Sequence, residues 1–165
     1  MKKGVIFMVV LSIFLLVGCS NGKRVLMNLD SENEILEELE FSKGSYFGTE
    51  IKMVDNKNEI VANYIEILNK DGLLEGYIIS DYVTGKVHEY ASGGSVLFDL
   101  VSKANLDMEI VRNNPVYYAG PFTIIVTDDE GNFYNLMGSE DNVGELISKE
   151  DLNSIFNDKN IEFGK

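Results

Sequence analysis

The chain has 165 residues, with 14 Lys and Arg against 27 Asp and Glu and a formal net charge of −13 at pH 7. Phosphate binding depends on Lys and Arg displacing counterions, so this balance argues against nucleic acid as a partner, and it disfavours adhesion of the folded domain to an anionic membrane surface. One cysteine, one histidine and no tryptophan rule out a disulfide framework and the usual zinc ligand sets.

Met1-Lys2-Lys3-Gly4, the apolar run Val5 to Val17 and then Gly18-Cys19 supply the charged start, apolar core and small residue of a secretory signal peptide. The 13-residue core falls well short of the roughly 20 residues that cross a bilayer. Leu16-Val17-Gly18-Cys19 resembles a bacterial lipobox. That resemblance implies a lipid on the Cys19 sulfur and cleavage just before it, and two acyl chains there meet the need for two anchoring signals. The plainer alternative is an ordinary secretory leader that ends near a cysteine. The division expected is a signal peptide over 1–18, a lipidated tether over 19–30 and a single acidic globular domain over 31–165. The protein is then anchored by lipid at the extracytoplasmic face of the cell membrane. Loss of Lys2 and Lys3 takes the net charge to −15. The 147 residues left suit one domain.

Ser20 to Asp30 begins as a polar tether. Val25-Leu26-Met27 interrupts it and leaves open whether it docks as an edge strand. Ser31 and Glu34 form an S-x-x-E capping box, which predicts a helix over about 32–42 with Ile35, Leu36 and Leu39 on its apolar face. Phe47, Thr49, Ile51 and Met53 alternate as in a half-buried strand, and Asp55-Asn56-Lys57-Asn58 marks a turn. Residues 60–68 fit one helical face, yet their β-branched content and the following Asn69-Lys70-Asp71-Gly72 favour a strand entering a hairpin. Leu73 to Val83 and Lys86 to Ala91 continue as a meander around a two-residue Thr84-Gly85 turn.

Ser95 is placed to cap a helix whose face is Val96, Leu97, Leu100, Val101 and Ala104. Leu106 to Arg112 reads as a strand stopped by Asn113-Asn114-Pro115. A second hairpin has strands Phe122–Thr127 and Phe133–Met137 around the acidic turn Asp128-Asp129-Glu130-Gly131-Asn132. Ser148 and Asp151 form another capping box before Leu152, Ile155 and Phe156. The fold expected is α+β: an antiparallel sheet of about six or seven strands, in a meander and hairpins, covered by two or three helices. The stretch from Tyr64-Ile65-Glu66 to Thr84-Gly85-Lys86-Val87 resembles the strand-turn-strand part of PepSY-type domains, which occur on bacterial surface proteins.

His88 is the only histidine, so any mechanism with a histidine base runs through it. A two-residue turn at Thr84-Gly85 places Asp81 opposite His88 and Ile79 opposite Tyr90. Such a pair orients an imidazole for proton transfer or makes a pH-sensitive contact; the plainer reading is a cross-strand charge pair worth a few tenths to about 1 kcal/mol. Ser95, after Gly93-Gly94, is a helix cap or a nucleophile outside the G-x-S-x-G pattern. The acidic turns miss the EF-hand spacing, with Gly at position 4 counted from Asp128 and Lys57 at position 3 counted from Asp55. No metal site and no cofactor are expected.

Two readings of function stand. The first is a non-enzymatic, membrane-anchored surface lipoprotein that binds or modulates another envelope protein or a cationic peptide. The second is a small envelope hydrolase using Ser95 and His88. A solute receptor ranks below both, because 147 residues is short for two clamping lobes.

Overall fold

The computed structural model describes residues 29–93, 96–136 and 143–159. The leader, Cys19, the tether up to residue 28, Ser95 and Met137 lie outside them. In chain order the elements are α1 (Leu29–Glu38), β1 (Tyr46–Val54), β2 (Ile60–Leu68), β3 (Leu74–Asp81), β4 (Val87–Ser92), α2 (Val96–Lys103) and α3 (Ile110–Asn113). There follow β5 (Val116–Tyr118), β6 (Ile124–Thr127), β7 (Phe133–Asn135), β8 (Glu145–Ile147) and α4 (Lys149–Lys159).

The α+β class holds, with eight strands in one sheet ordered β4-β3-β2-β1-β5-β6-β7-β8. Each half is an antiparallel meander of four consecutive strands. The sheet is mixed rather than wholly antiparallel, because β1 and β5 pair in parallel through Met53↔Val116 and Val54↔Tyr117. A parallel pair needs a long crossover, here the rest of the first meander with α2 and α3, so no local turn signal announces it.

Three hairpin turns share one construction. Asp55, Asn69 and Asp128 each accept, on Oδ1, the N–H groups two and four residues ahead, at 2.8–3.0 Å. The residue three ahead is left-handed: Asn58 at φ 64°, Gly72 at 77° and Gly131 at 83°. Glycine or asparagine at that place is what a turn with positive φ requires.

The β3–β4 connection departs from the expected two-residue turn. Asp81 Oδ1 accepts from the N–H of Val83 and Thr84 and from the Thr84 hydroxyl, at 2.7–2.9 Å. Those bonds fold the chain directly after Asp81, so Val83 sits in the loop and Asp81 N–H closes it on the Lys86 carbonyl at 2.8 Å. The register is Ser80↔Val87 and Ile79↔Glu89, and His88 is the extra residue of a bulge. Asp81 is therefore not the strand partner of His88, nor Ile79 that of Tyr90.

Other expectations also need correction. α1 begins at Leu29, so Ser31 lies inside the helix instead of capping it. Leu106 to Arg112 is a turn running into α3, not a strand. Asp107 Oδ1 accepts the Glu109 N–H at 2.9 Å and bends the chain, while Leu106, Met108 and Ile110 pack on the same core and so imitate strand alternation. β6 starts at Ile124, leaving Phe122 in the turn, and β7 ends at Asn135. β5 and β8, three residues each, raise the strand count; Val116, Tyr117 and Tyr118 are all buried and show no alternation. The Ser148–Asp151 box is present: Ser148 N–H and hydroxyl donate to Asp151 Oδ2 at 3.0 and 2.7 Å, and Asp151 N–H returns to Ser148 Oγ at 3.1 Å.

Helices cover both faces of the sheet. On one, Met53, Ala62, Tyr64, Tyr77, Ile79, Val116, Tyr118, Ile124 and Val126 pack with Leu97 and Val101 of α2 and Val111 of α3. Fully burying a Leu or Val side chain such as Leu97 or Val101 contributes roughly 1.5–3 kcal/mol. On the other face, Leu36 of α1 joins Phe41, Ile65, Ile67 and Ile78, and Leu152 of α4 joins Tyr117 and Ile125. Cover on both sides explains the helix-like spacing of β2, where 61, 62, 64, 65 and 67 are all buried.

Candidate functional site

Two groups of carboxylates stand out, one enclosed by the sheet and one open to solvent. The enclosed group centres on Glu89 of β4, only 7% exposed. Tyr77 of β3 donates its hydroxyl to Glu89 Oε1 at 2.6 Å, and the Phe122 N–H, from the β5–β6 turn, donates to Oε2 at 3.1 Å. Tyr77 stacks on Tyr64 of β2 with centroids 5.4 Å apart. In a flat sheet β4 and β5 would lie about 19 Å apart, four steps of roughly 4.8 Å. The His88 and Tyr118 rings are nevertheless 6.5 Å apart. The sheet therefore coils, and the β5–β6 turn reaches over it to the end of β4. Burial first, and then the Glu89 carboxylate, push the Tyr77 and Tyr118 hydroxyls well above the usual tyrosine range. The Tyr77 hydroxyl thus acts as a protonated donor to Glu89, not as an acid.

His88 Nε2 lies 3.8 Å from Asp81 Oδ2. The two predicted residues do meet, but through the loop and bulge rather than as strand partners. At 3.8 Å the contact is an ion pair when His88 is protonated and too long for a hydrogen bond. Asp81 is 3% exposed and spends its other oxygen on the loop. Ser95, the third candidate, lies outside the described residues.

Sequence reasoning missed Glu89. Strict alternation sends Tyr90 inward beside Tyr77 and Glu89 outward, but the bulge at His88 reverses this: Glu89 is buried and Tyr90 is 51% exposed. A one-residue change of register exchanges the two faces of a strand. The visible hint was an acid between His88 and Tyr90 in a strand otherwise suited to burial.

The open group lines a cleft of about 290 Å³ between the start of α3 and the β6–β7 turn, formed by Asp107, Glu109, Ile110, Asn113, Asp128, Asp129 and Glu130. Asp107 and Asp128 are held by their own turns, and Asp129 by the end of α3. Asp128 accepts two backbone N–H groups on Oδ1, and Asn132 Nδ2 and the Tyr134 hydroxyl on Oδ2 at 2.8 and 2.9 Å. Hydrogen bonding from Asn132, with smaller contributions from Tyr134 and Glu130, lowers its carboxyl to about 2. Asp129 Oδ1 accepts from Asn114 Nδ2 at 2.9 Å, which fastens the turn to the end of α3. Apart from Glu109, which meets Arg112 at 2.8 Å in a pair where both side chains are 59% exposed, these bonds come from uncharged donors. They orient the carboxylates without neutralising them.

Among the described residues no group of three or more His, Cys, Asp or Glu side chains is arranged to hold a metal ion, and no helix is long and apolar enough to cross a membrane. No family model matches the chain, and no curated protein or solved structure is significantly similar to it.

Proposed function

We propose that the protein is a bacterial surface lipoprotein, tethered at the extracytoplasmic face of the cell membrane through a lipid on Cys19. Its domain binds a basic segment of another envelope protein, or a cationic peptide, without catalysing a reaction. The observation that carries this reading is the cleft, where five carboxylates surround Ile110 with one guanidinium nearby. Its volume lies at the lower edge of the roughly 300–1,000 Å³ usual for small-molecule pockets, which suits one lysine or arginine side chain. Complementary charge speeds encounter and sets specificity more than it adds affinity, so binding should be fast, weak and sensitive to salt.

Titration of the protein with a short Lys/Arg peptide at low and at physiological salt tests this. Binding that weakens with salt, and weakens again in Asp107→Asn/Asp129→Asn, supports it; equal binding by wild type and variant defeats it. For the anchor, Cys19→Ser should release the protein from membranes, and continued membrane retention would refute it.

The hydrolase reading draws on the 3.8 Å approach of His88 to Asp81. Ester or peptide hydrolysis that is the same in wild type and Ser95→Ala would remove it.

A further inference from the structure

The β5–β6 turn combines two features that the cleft does not use. Phe122 holds a left-handed backbone at φ 58° with its side chain 70% exposed. A residue with a side chain keeps that conformation only where its surroundings hold it there. It is held by the turn's own bond from the Thr123 N–H to the Gly120 carbonyl at 3.0 Å and, from outside the turn, by the buried Glu89 carboxylate, 33 residues away, through the 3.1 Å bond from the Phe122 N–H. The same carboxylate is steadied by the Tyr77 hydroxyl at 2.6 Å. A strained, outward-facing turn is thus fastened to β4 by one charge-assisted bond besides its own hydrogen bonds; His88 adjoins Glu89 in the chain, and its ring is 6.5 Å from that of Tyr118 at the end of β5.

We propose that the segment Gly120-Pro121-Phe122 is a strap over the end of β4, and that it opens as a unit while the sheet stays folded, uncovering Glu89 and the His88–Asp81 pair beside it. Glu89 is the positioning residue that keeps the strap down, and the strain at Phe122 favours opening. Turns that open in this way exchange their amides through local motion, whereas amides in the middle of a sheet wait for larger unfolding.

Native-state hydrogen exchange on the full chain, followed residue by residue, decides the matter. The Phe122 amide should be at least about tenfold less protected than those of Ile65 and Ile78, and Glu89→Gln should lower its protection by a further tenfold or so, because a neutral acceptor replaces a charged one. Phe122→Gly tests the strap without touching the buried carboxylate: glycine adopts positive φ without strain, so protection of the residue-122 amide should rise several-fold. Should Glu89→Gln lose cooperative folding, this second variant decides alone. Phe122 protection equal to that of the sheet, or unchanged in Phe122→Gly, overturns the proposal.

Discussion

The acids of the enclosed group and those of the cleft are the same chemistry put to opposite uses. Glu89 and Asp81 are almost wholly buried, and the bonds they accept shape the fold: those to Glu89 join β4 to β3 and to the β5–β6 turn, and those to Asp81 fold the first half of the β3–β4 loop. Asp107, Asp128 and Asp129 also accept bonds, but at the surface, where their charge stays exposed to a partner. The difference teaches that a carboxylate supports this fold through its oxygens, as acceptors, and offers binding through its charge. Removing oxygens and removing charge should therefore have separable consequences.

The largest effect is expected at Glu89. Glu89→Ala leaves the buried Tyr77 hydroxyl without its acceptor and frees the Phe122 N–H, at a cost of about 2–4 kcal/mol, measurable by urea unfolding. A loss below about 0.5 kcal/mol would break the comparison. Asp81→Ala comes next, at about 1–2 kcal/mol, since the loop loses three donors' partner while the strands remain. Asp81→Asn, which keeps an acceptor oxygen, should recover most of that in the same measurement.

Cleft variants should leave stability almost untouched and act on binding. Asp107→Asn/Asp129→Asn is expected to weaken a basic peptide by about fivefold at low salt, with a smaller difference at physiological salt, as calorimetric titration would show. The smallest effect belongs to Asp128→Asn: Asn69 shows that an amide oxygen accepts the same two backbone N–H groups, and only the surface bonds from Asn132 Nδ2 and the Tyr134 hydroxyl to Oδ2 are lost. Its consequence lies in pH dependence. The folded carboxyl of Asp128, at about 2, is below its unfolded value near 4, so its contribution is complete above about pH 4 and is lost as pH falls towards 2. The melting temperature of wild type should therefore exceed that of Asp128→Asn at neutral pH, and the two should converge as pH falls from about 4 towards 2. Parallel curves down to pH 2 would show that the charge is not stabilised by the turn.

Several local features whose interacting groups lie within a few residues were legible, though the Asp81 loop and the Asp107 turn were not. The turns at Asp55, Asn69 and Asp128, the Ser148–Asp151 cap and the apolar face of α2 all follow from short-range spacing. β2 was readable only as a choice between helix and strand, since cover on both faces erases alternation. Leu106 to Ile110 deceived for a related reason: residues packing on one core from a turn can alternate as a strand does. At the candidate site, His88 and Asp81 were found for their chemistry and their nearness was anticipated, but by a register that the Asp81 loop does not allow. The cleft was half visible, as the acidic turn from Asp128 to Glu130; Asp107 and Glu109 join it only through the packing of α3 against β6.

By itself the sequence determined the turns at Asp55, Asn69 and Asp128, the Ser148–Asp151 cap and the apolar face of α2, because each depends on the order of residues along a short stretch of chain. Tertiary structure alone decided the parallel join of β1 to β5, the burial of Glu89 and the gathering of five acids around Ile110. Those outcomes rest on contacts between distant segments, where a bulge of one residue or a coil of the sheet changes which side chains meet. Spacing along the chain carries no record of such contacts.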